Sequence, residues 1–535
     1  MISVVYEDDD LLAVDKPEGV SCQAADPEHR DDLPFRLEIE QGLDYLGIHQ
    51  RLDRDTSGVL VYTKRKAANK GLADQLEGRT VDKTYVALVE GWSGGPRRLV
   101  HHLARGSDGR SEVVSSRDRK AKRAVTSVER VERDGPRARL EVRIETGRTH
   151  QIRAQLAAEG APVIGDVLYG GASAPRLMLH SRRLELRHPT TNDSLTLEAP
   201  VPRLFEGWLR GEIDPFSPEH LRQTLARAEE RRWGLAHRDD VSAYRLVNEE
   251  GDGLPGVAVD VYGEWLVVHL YDAGLPEEAR IIDALATTTD KRGIYVKRRP
   301  RQANVIVEAG EDRAPTEPVW GEAAPSPLEI VEHGVPLLCR LGEGLSTGVF
   351  LDQRANRTRV RELARGARVL NLFAYTCPFT VAAALGGARQ TLSVDASKRA
   401  LEWGRENLGR SGLDEALHQT LHADCFDVLR DLAAGGERYD LVILDPPTYS
   451  KTKSTRWKSG KGWRELAALA LGVLGDGGQL LVCSNDRRMS RGAFRKHLRA
   501  AARDRRRSIA QLKDLPSPRD FPGEAQPKSL LCTLR

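Results

Sequence analysis

The chain has 535 residues, with 81 Lys plus Arg against 78 Asp plus Glu and only 5% aromatic residues. That length exceeds one ordinary core and predicts about three domains of roughly 100–200 residues each. A net charge of +3 excludes any argument for nucleic acid from bulk charge, so local clusters must carry it.

The opening, "MISVVYEDDDLLAV", lacks the basic start and long apolar core of a signal peptide. No apolar run approaches the roughly 20 residues that cross a bilayer. The six cysteines form no CxxC pair and are spread over the chain, so they read as reduced thiols and not as a disulfide frame or a zinc site. A cytoplasmic protein without membrane or metal is expected. The first ~200 residues read as strands and turns. "KTYVALVEG" (Lys83 to Gly91) is a strand, and "RLEVRIETG" (Arg139 to Gly147) alternates Leu140, Val142 and Ile144 with charged neighbours. "PEHLRQTLARAEERRWGLAHRDD" (Pro218 to Asp240) is rich in helix formers and poor in apolar residues, as a linker or connecting helix is. Residues 241–335 hold short strands, "VAVDVYG" and "WLVVHLY", broken by "GDGLPG", and predict a small α+β domain. Beyond residue 341 strands and helices alternate. "ARVLNLF" precedes the helix "PFTVAAALGGA", and "TLSVD" precedes "SKRALEWGRENLG" with Ser397 as its N-cap. "YDLVILD" and "QLLVCS" are apolar enough for buried parallel strands. This half predicts an α/β doubly wound sheet.

Two constellations carry chemistry. In "HQRLDRDTSG", Asp53 and Asp55 lie among Arg51 and Arg54 just before a strand. Alone, this is most simply a salt-bridged turn, because an arginine keeps a neighbouring carboxylate ionised. Three further stretches change the reading: "VVYEDDDLLAVDKPEGVSCQ" (Val4 to Gln23), "GRTHQIRAQLAAEGAPVIGDVLYGG" (Gly147 to Gly171) and "RLMLHSRRLELRHP" (Arg176 to Pro189). Together the four segments resemble the RluA-type pseudouridine synthases over residues 1–205. The resemblance implies an α+β domain with a mixed, mostly antiparallel sheet, and conversion of uridine in RNA to its carbon-linked isomer without cofactor or metal. It implies that Asp53 attacks or deprotonates the ribose, that Tyr85 lies against the target base, that Arg153 pairs with Asp53, and that Arg51 belongs to the same site. Asp55 falls at a position that the pattern leaves open. From the residues alone, Tyr85 is also a plain core residue and Arg153 a phosphate contact. The common pattern is "HRLD"; here Gln50 intervenes and displaces His49. The synthase pattern begins almost at once, so RNA binding falls to this domain's surface or to the rest of the chain. "TKRKAANKG" (Thr63 to Gly71) and "SRDRKAKRAV" (Ser116 to Val125) are the basic candidates, and each is equally a solvated face.

In the C-terminal half, Asp395 ends the second strand, 24 positions after Asn371, where an acid takes ribose hydroxyls of a nucleotide-like cofactor. The intervening "NLFAYTCPFT" is not GxGxxG, which argues against NAD. Asp424 ends the third strand, and "DPPTYS" (Asp445 to Ser450) the fourth. Asp-Pro-Pro followed by an aromatic resembles class I S-adenosylmethionine methyltransferases. "AYRLVNEEGDGLPGVAVDVYG" and "STGVFLDQRANR" extend the resemblance to ribosomal RNA methyltransferases of the RlmI and RlmK types over residues 240–535. It implies a S-adenosyl-L-methionine site at Asn371, Phe373, Tyr375, Thr376, Asp395, Asp424, Asp445, Pro446, Phe350, Gln353 and Arg354, with Asp445 catalytic and Tyr449 stacking on the base. The expected domains are 1–205, a linker at 206–240, the small domain at 241–335 and the methyltransferase at 336–535.

Asn485 stands where the RlmI type has a cysteine, and Cys483 reads as strand core; "DPPTYS" and "SNDRR" resemble the RlmK type instead, and that resemblance implies guanine at ring nitrogen 7 as the first expectation for the methylated base. The family's "YTG" is here Tyr375-Thr376-Cys377, followed by Pro378, which adds a β-carbon where glycine lets the backbone approach the ligand. "DRRMSRGAFRKHLRAAARDRRRS" (Asp486 to Ser508) carries ten Arg or Lys against two Asp, which suits phosphate contact. The whole is expected to be a bifunctional enzyme of ribosomal RNA modification. The alternatives are a synthase whose C-terminal half binds RNA without catalysis and, more distantly, a structural assembly factor.

Overall fold

A computed structural model describes residues 2–23, 31–106, 110–212, 214–272, 274–299, 312–451, 456–460, 462–486, 488–523 and 528–535. The chain divides into two compact units, Met1–Gly234 and Leu235–Arg535.

The first unit is built on a large mixed sheet. Its strands lie in the spatial order Ser3–Glu7, Leu11–Lys16, Ser57–Thr63, Leu179–Arg187, Asp82–Glu90, Arg137–Ile144, Lys122–Asp134, Arg97–Arg105 and Ser111–Val114. All these pairings are antiparallel except Leu179–Arg187 with Ser57–Thr63, where His180 and Ser181 face Ser57 and Gly58 in parallel. The run "SGVLVYT" is buried at every position, so the turn that precedes it is fastened to the middle of the sheet. Strand Asp82–Glu90 sets Tyr85 opposite Ser181 on one side and Val142 on the other. Both predicted strands of this half thus lie side by side at the centre of the sheet.

Of the residues expected as a linker at 206–240, the described ones up to Gly234 belong to this unit and are largely helical. Helix Leu204–Arg210 buries Leu204, Phe205 and Leu209 in its core. Helix Pro218–Ala236 is held through Arg36, whose buried guanidinium binds Asp31 at 2.7 Å, pairs with Glu230 and lies 4.9 Å from the Trp233 ring. The mean apolar content of that helix was too low to reveal a buried face; Leu221, Leu225, Ala228 and Trp233 supply it.

In the second unit, a sheet of strands Ala243–Asn248, Val257–Tyr262, Trp265–Leu270, Gly293–Arg298 and Trp320–Gly321 carries helix Glu278–Thr288. The hairpin Leu328–Glu332/Val335–Cys339 follows. The doubly wound sheet then runs His418–His422, Gln390–Asp395, Arg368–Leu372, Tyr439–Leu444, Leu474–Ser484, Lys528–Leu534 and Ile509–Leu515. The first five strands are parallel and the last two antiparallel. Ser397 caps its helix as expected, accepting from Ala400 N at 3.2 Å. Parallel strands deliver all their carboxyl ends to one edge of the sheet, and the strand order reverses between Arg368–Leu372 and Tyr439–Leu444, the usual position of a ligand cleft. No helix among the described residues is long and apolar enough to cross a membrane.

Candidate active sites

The first site forms on the turn before Ser57–Thr63. Thr56 N donates to Asp53 O at 3.1 Å, and the fully buried Lys16 ammonium donates to the carbonyls of Arg54, Pro17 and Val20 at 2.9, 2.8 and 2.8 Å. Burial pushes the Lys16 amine down to about 8. This amine ties the opening segment of the chain to the Asp53 turn. The Asp53 side chain keeps 25% exposure, and its Oδ2 accepts from Arg153 Nη1 at 3.2 Å. Arg153 sits in the first turn of helix Gln151–Ala158. Its Nε and Nη2 donate to Asp166 Oδ2 and Oδ1 at 2.6 and 2.8 Å, with both groups buried. Burial opposes the charged guanidinium, but Asp166 and then Asp53 outweigh it and hold Arg153 above its ordinary pKa. The site therefore keeps a fixed positive charge against the Asp53 carboxylate.

Asp166 was not foreseen. Gly165 directs it: that residue takes φ +82°, and a Cβ there would come within 1.8 Å of Arg176 O. The signal available in the sequence was chemical, since a buried guanidinium has five N–H donors and one partly exposed aspartate cannot satisfy them. His150 also stands in the site. It caps the Gln151–Ala158 helix with φ 51°, a left-handed conformation rare outside glycine, and brings Nε2 to 3.8 Å from Asp53 Oδ2.

Tyr85 is buried in strand Asp82–Glu90, and burial first, with the Asp53 charge next, raises its phenol above the usual value. Arg51 is not brought to Asp53; its exposed guanidinium reaches Gln23 Oε1 at 3.4 Å. Asp55 is 55% exposed and pairs with its neighbour Arg54 at 3.3 Å. Displaced His49 has a structural place, with Nε2 3.2 Å from Thr63 Oγ1 and 3.3 Å from Asn69 Oδ1. Gln50 Nε2 is buried without a hydrogen-bond partner.

The second site lies along the carboxyl edge of the parallel strands. Asp395 Oδ2 accepts from Tyr375 N at 2.9 Å and Oδ1 from Ser397 N at 2.8 Å, which leaves each oxygen a spare lone pair at the strand end. Asp424 caps helix Cys425–Ala434 by accepting from Phe426 N at 2.8 Å. The loop between strand Arg368–Leu372 and helix Pro378–Leu385 takes left-handed φ at every second residue: Phe373 (59°), Tyr375 (51°) and Cys377 (61°). Such strain clusters at ligand-binding turns. Phe350 is 48% exposed, with its ring centroid 5.4 Å from that of Tyr375.

Cys377 leaves this loop intact. Its side chain turns into the protein beside Ala374 and Leu401, against Gly404. A Cβ at Gly404 would stand 2.6 Å from Cys377 Sγ. Gly404→Ala is therefore expected to lose about 1–3 kcal/mol in urea unfolding, the usual cost of overpacking, and Cys377→Gly in the same chain to restore most of it.

Other expected cofactor residues are committed elsewhere. Asn371 Nδ2 donates to Thr380 Oγ1 at 2.9 Å, and Thr376 Oγ1 to Gly348 O at 2.5 Å; both side chains are buried. Arg354, expected beside the cofactor, is tied instead to Asp520 Oδ1 at 2.5 Å and Ala243 O at 3.3 Å. A buried arginine takes the nearest buried acid, and Asp520 lies far along the chain. Gln353 does reach the site: its Nε2 donates to Asp445 Oδ2 at 3.1 Å. Asp352 beside it is a further acid that the sequence reading passed over, and its Oδ1 is buried without a hydrogen-bond partner. Pro446 is buried at the strand end, and Tyr449 begins the short hairpin strand Tyr449–Lys451.

Burial, with Asp352 next, pushes the Asp445 carboxyl up to about 7. An unfolded aspartate ionises near 4. Between those values the native state holds a proton that the unfolded state releases, so stability falls as pH rises across that window. Asp445→Asn is expected to flatten this slope in denaturation curves taken from about pH 4 to about 7, and an unchanged slope would contradict the assignment.

Comparison with known proteins finds relatives for both halves of the chain. Residues 251–534 match the S-adenosylmethionine-dependent methyltransferase family and residues 10–158 the RNA pseudouridylate synthase family. Ribosomal RNA large subunit methyltransferase I of Salmonella enteritidis PT4 is 35% identical over 317 residues, covering 59% of this chain and 77% of that protein. A solved methyltransferase complexed with SAH aligns with TM-score 0.54 and 27% identity, covering 65% of this chain and 86% of its own. A SAM-dependent methyltransferase structure from Streptococcus mutans aligns with TM-score 0.53 and 26% identity over 65% of this chain and 87% of its own.

Proposed function

Since this chain belongs to the S-adenosylmethionine-dependent methyltransferase family and carries an RNA pseudouridylate synthase domain ahead of that part, we propose that it isomerises uridine and methylates guanine in large-subunit ribosomal RNA. The observation that supports the reading is that each half gathers carboxylates of its own, one set at Asp53–Arg153 and one at the strand ends Asp395, Asp424 and Asp445. The name of the Salmonella relative supports ribosomal RNA as substrate.

At the first site, the target uridine leaves its stack at a cost of a few kcal/mol and lies against Tyr85. Arg153 sets a positive charge 3.2 Å from Asp53, which acts as nucleophile or base. No cofactor takes part in this half of the reading.

S-adenosylmethionine, when bound, supplies an electrophilic methyl group. The residues present fit it: the spare lone pairs of Asp395 suit ribose hydroxyls, and the exposed Phe350 ring offers a face to an adenine. Asp445 and Pro446 orient the base at the fourth strand, and Tyr449 stacks on it. Cys483 is fully buried, and burial lifts its thiol well above the ordinary value. A thiol so placed is inert, which favours direct transfer to a ring nitrogen over thiolate attack on a pyrimidine.

Arg117, Arg119, Lys120, Lys122 and Arg123 are exposed and make no ion pair among the described residues, as a phosphate-binding surface requires. The helix Arg491–Asp504 suits that role less well, because Arg495 pairs with Asp514 and the following Arg505 and Arg507 bind the carbonyls of Ala468 and Gly475. The cytoplasm is the proposed place of action.

Calorimetry with S-adenosylmethionine tests the methyltransferase half. One site is expected, weakened about tenfold or more in Asp395→Ala, since hydrogen bonds to a charged group are worth roughly 1.5–3 kcal/mol. Absence of binding would leave a synthase whose second half only holds RNA.

A further inference from the structure

Resting on the synthase reading, we propose that His150 is a second catalytic residue, the carrier that moves the uracil C5 proton to N1 at the end of the isomerisation.

Hydrogen-bond logic fixes its tautomer. The Tyr169 hydroxyl lies 2.9 Å from Ser111 N, 2.9 Å from Ser111 O and 3.1 Å from His150 Nδ1. Ser111 N–H can only donate, so the hydroxyl accepts from it. Ser111 O can only accept, so the hydroxyl spends its one proton there. His150 Nδ1 must then donate to the hydroxyl. The Nε2 atom is left as a lone pair, 3.8 Å from Asp53 Oδ2. Two acceptors face each other across a gap that holds one proton when the ring is charged.

The ring is held for this position. Its edge packs on Tyr169 at 5.8 Å between centroids, its residue keeps a left-handed φ, and the Ser111 hydroxyl donates to Thr149 O at 2.7 Å just before it. Burial, acting before the opposing pull of Asp53, holds its pKa below the ordinary imidazole value; Arg153, Asp166 and Arg105 are the other charges facing it.

The chemistry needs such a group. In the nucleophilic course, an Asp53 oxygen bonds to C1′ as the C1′–N1 bond breaks, and the rotated uracil then closes a C1′–C5 bond as the Asp53–C1′ bond breaks; C5 still carries its hydrogen and C6 is double-bonded to N1. Loss of the C5 proton moves its electron pair into a C5=C6 bond, and the former C6=N1 pair takes up a proton at N1. No other reactant enters, and Asp53, freed when C1′–C5 closes, ends as it began. One imidazole nitrogen that accepts at C5 and returns the proton at N1 satisfies this balance, while Nδ1–H stays on Tyr169.

The test uses the full chain and uridine-containing large-subunit ribosomal RNA, with His150→Gln and His150→Phe alongside wild type. Both variants are expected to slow pseudouridine formation about 10²-fold or more, the usual worth of a general acid–base. A primary isotope effect should also emerge on RNA deuterated at uracil C5. RNA carrying 5-fluorouridine cannot lose that proton, so its rearrangement should proceed at the wild-type rate in both variants. Equal slowing on fluorinated RNA, or slowing without an isotope effect, would make His150 a support for Asp53 and overturn the proposal. A wild-type protein that forms no pseudouridine would overturn the synthase reading itself.

Discussion

Asp53→Ala is expected to remove pseudouridine formation, by about 10⁴-fold or more, while Asp55→Ala leaves it within about twofold. The two acids differ by two positions and by environment. Asp53 faces Arg153 at 3.2 Å and His150 at 3.8 Å. Asp55 meets Arg54, and both of those side chains are more than half exposed. An exposed pair of that kind is worth roughly 0–1 kcal/mol. Asp53→Asn keeps the shape and the Arg153 hydrogen bond but lacks the charge, so it separates chemistry from packing: it should lose activity and keep its unfolding midpoint. Mass spectrometry of digested RNA reads the first quantity and urea unfolding the second. Comparable loss in Asp53→Ala and Asp55→Ala would contradict the assignment.

Asp166→Ala should be the most damaging change to the stability of the first unit. Arg153 and Asp166 are both buried and joined by two hydrogen bonds of 2.6 and 2.8 Å. Breaking such a pair strands a charge in a low dielectric and costs about 3–5 kcal/mol. Asp53 is the remaining carboxylate beside Arg153, so the guanidinium is also free to swing further toward it. Asp166→Asn keeps the shape and one acceptor, and should retain more stability than activity. Urea unfolding of both variants checks the first effect and single-turnover pseudouridine formation the second. Wild-type stability in Asp166→Ala would show that the pair is not what holds Arg153.

The particular residues explain what the sequence disclosed. Strands were legible where burial follows a simple period: the alternation in "RLEVRIE" and the unbroken run in "LVIL" each became a central strand. Asp53, Arg153, Asp395 and Asp445 were legible because several ordered segments had to agree for each. Partners drawn from distant segments were not. Asp166 meets Arg153 across thirteen residues, Asp520 meets Arg354 across 166, and no local pattern records either pairing. Arg354 carried the misleading signal of lying in a strong motif, while its guanidinium serves the packing between the small sheet and the C-terminal segment of the same unit. Cys377 illustrates the opposite case. The departure from glycine looked costly in the loop, but the compensation is Gly404, 27 positions later, which supplies the space that the thiol needs.

The central claim is that one chain performs two modifications at two separate sites. Its most direct test is nucleoside mass spectrometry of large-subunit ribosomal RNA lacking modifications, incubated with the full protein and S-adenosylmethionine. Wild type should yield both pseudouridine and methylguanosine, Asp53→Ala only methylguanosine, and Asp395→Ala only pseudouridine. Loss of both products in either variant, or a wild type that yields one product alone, would contradict the account.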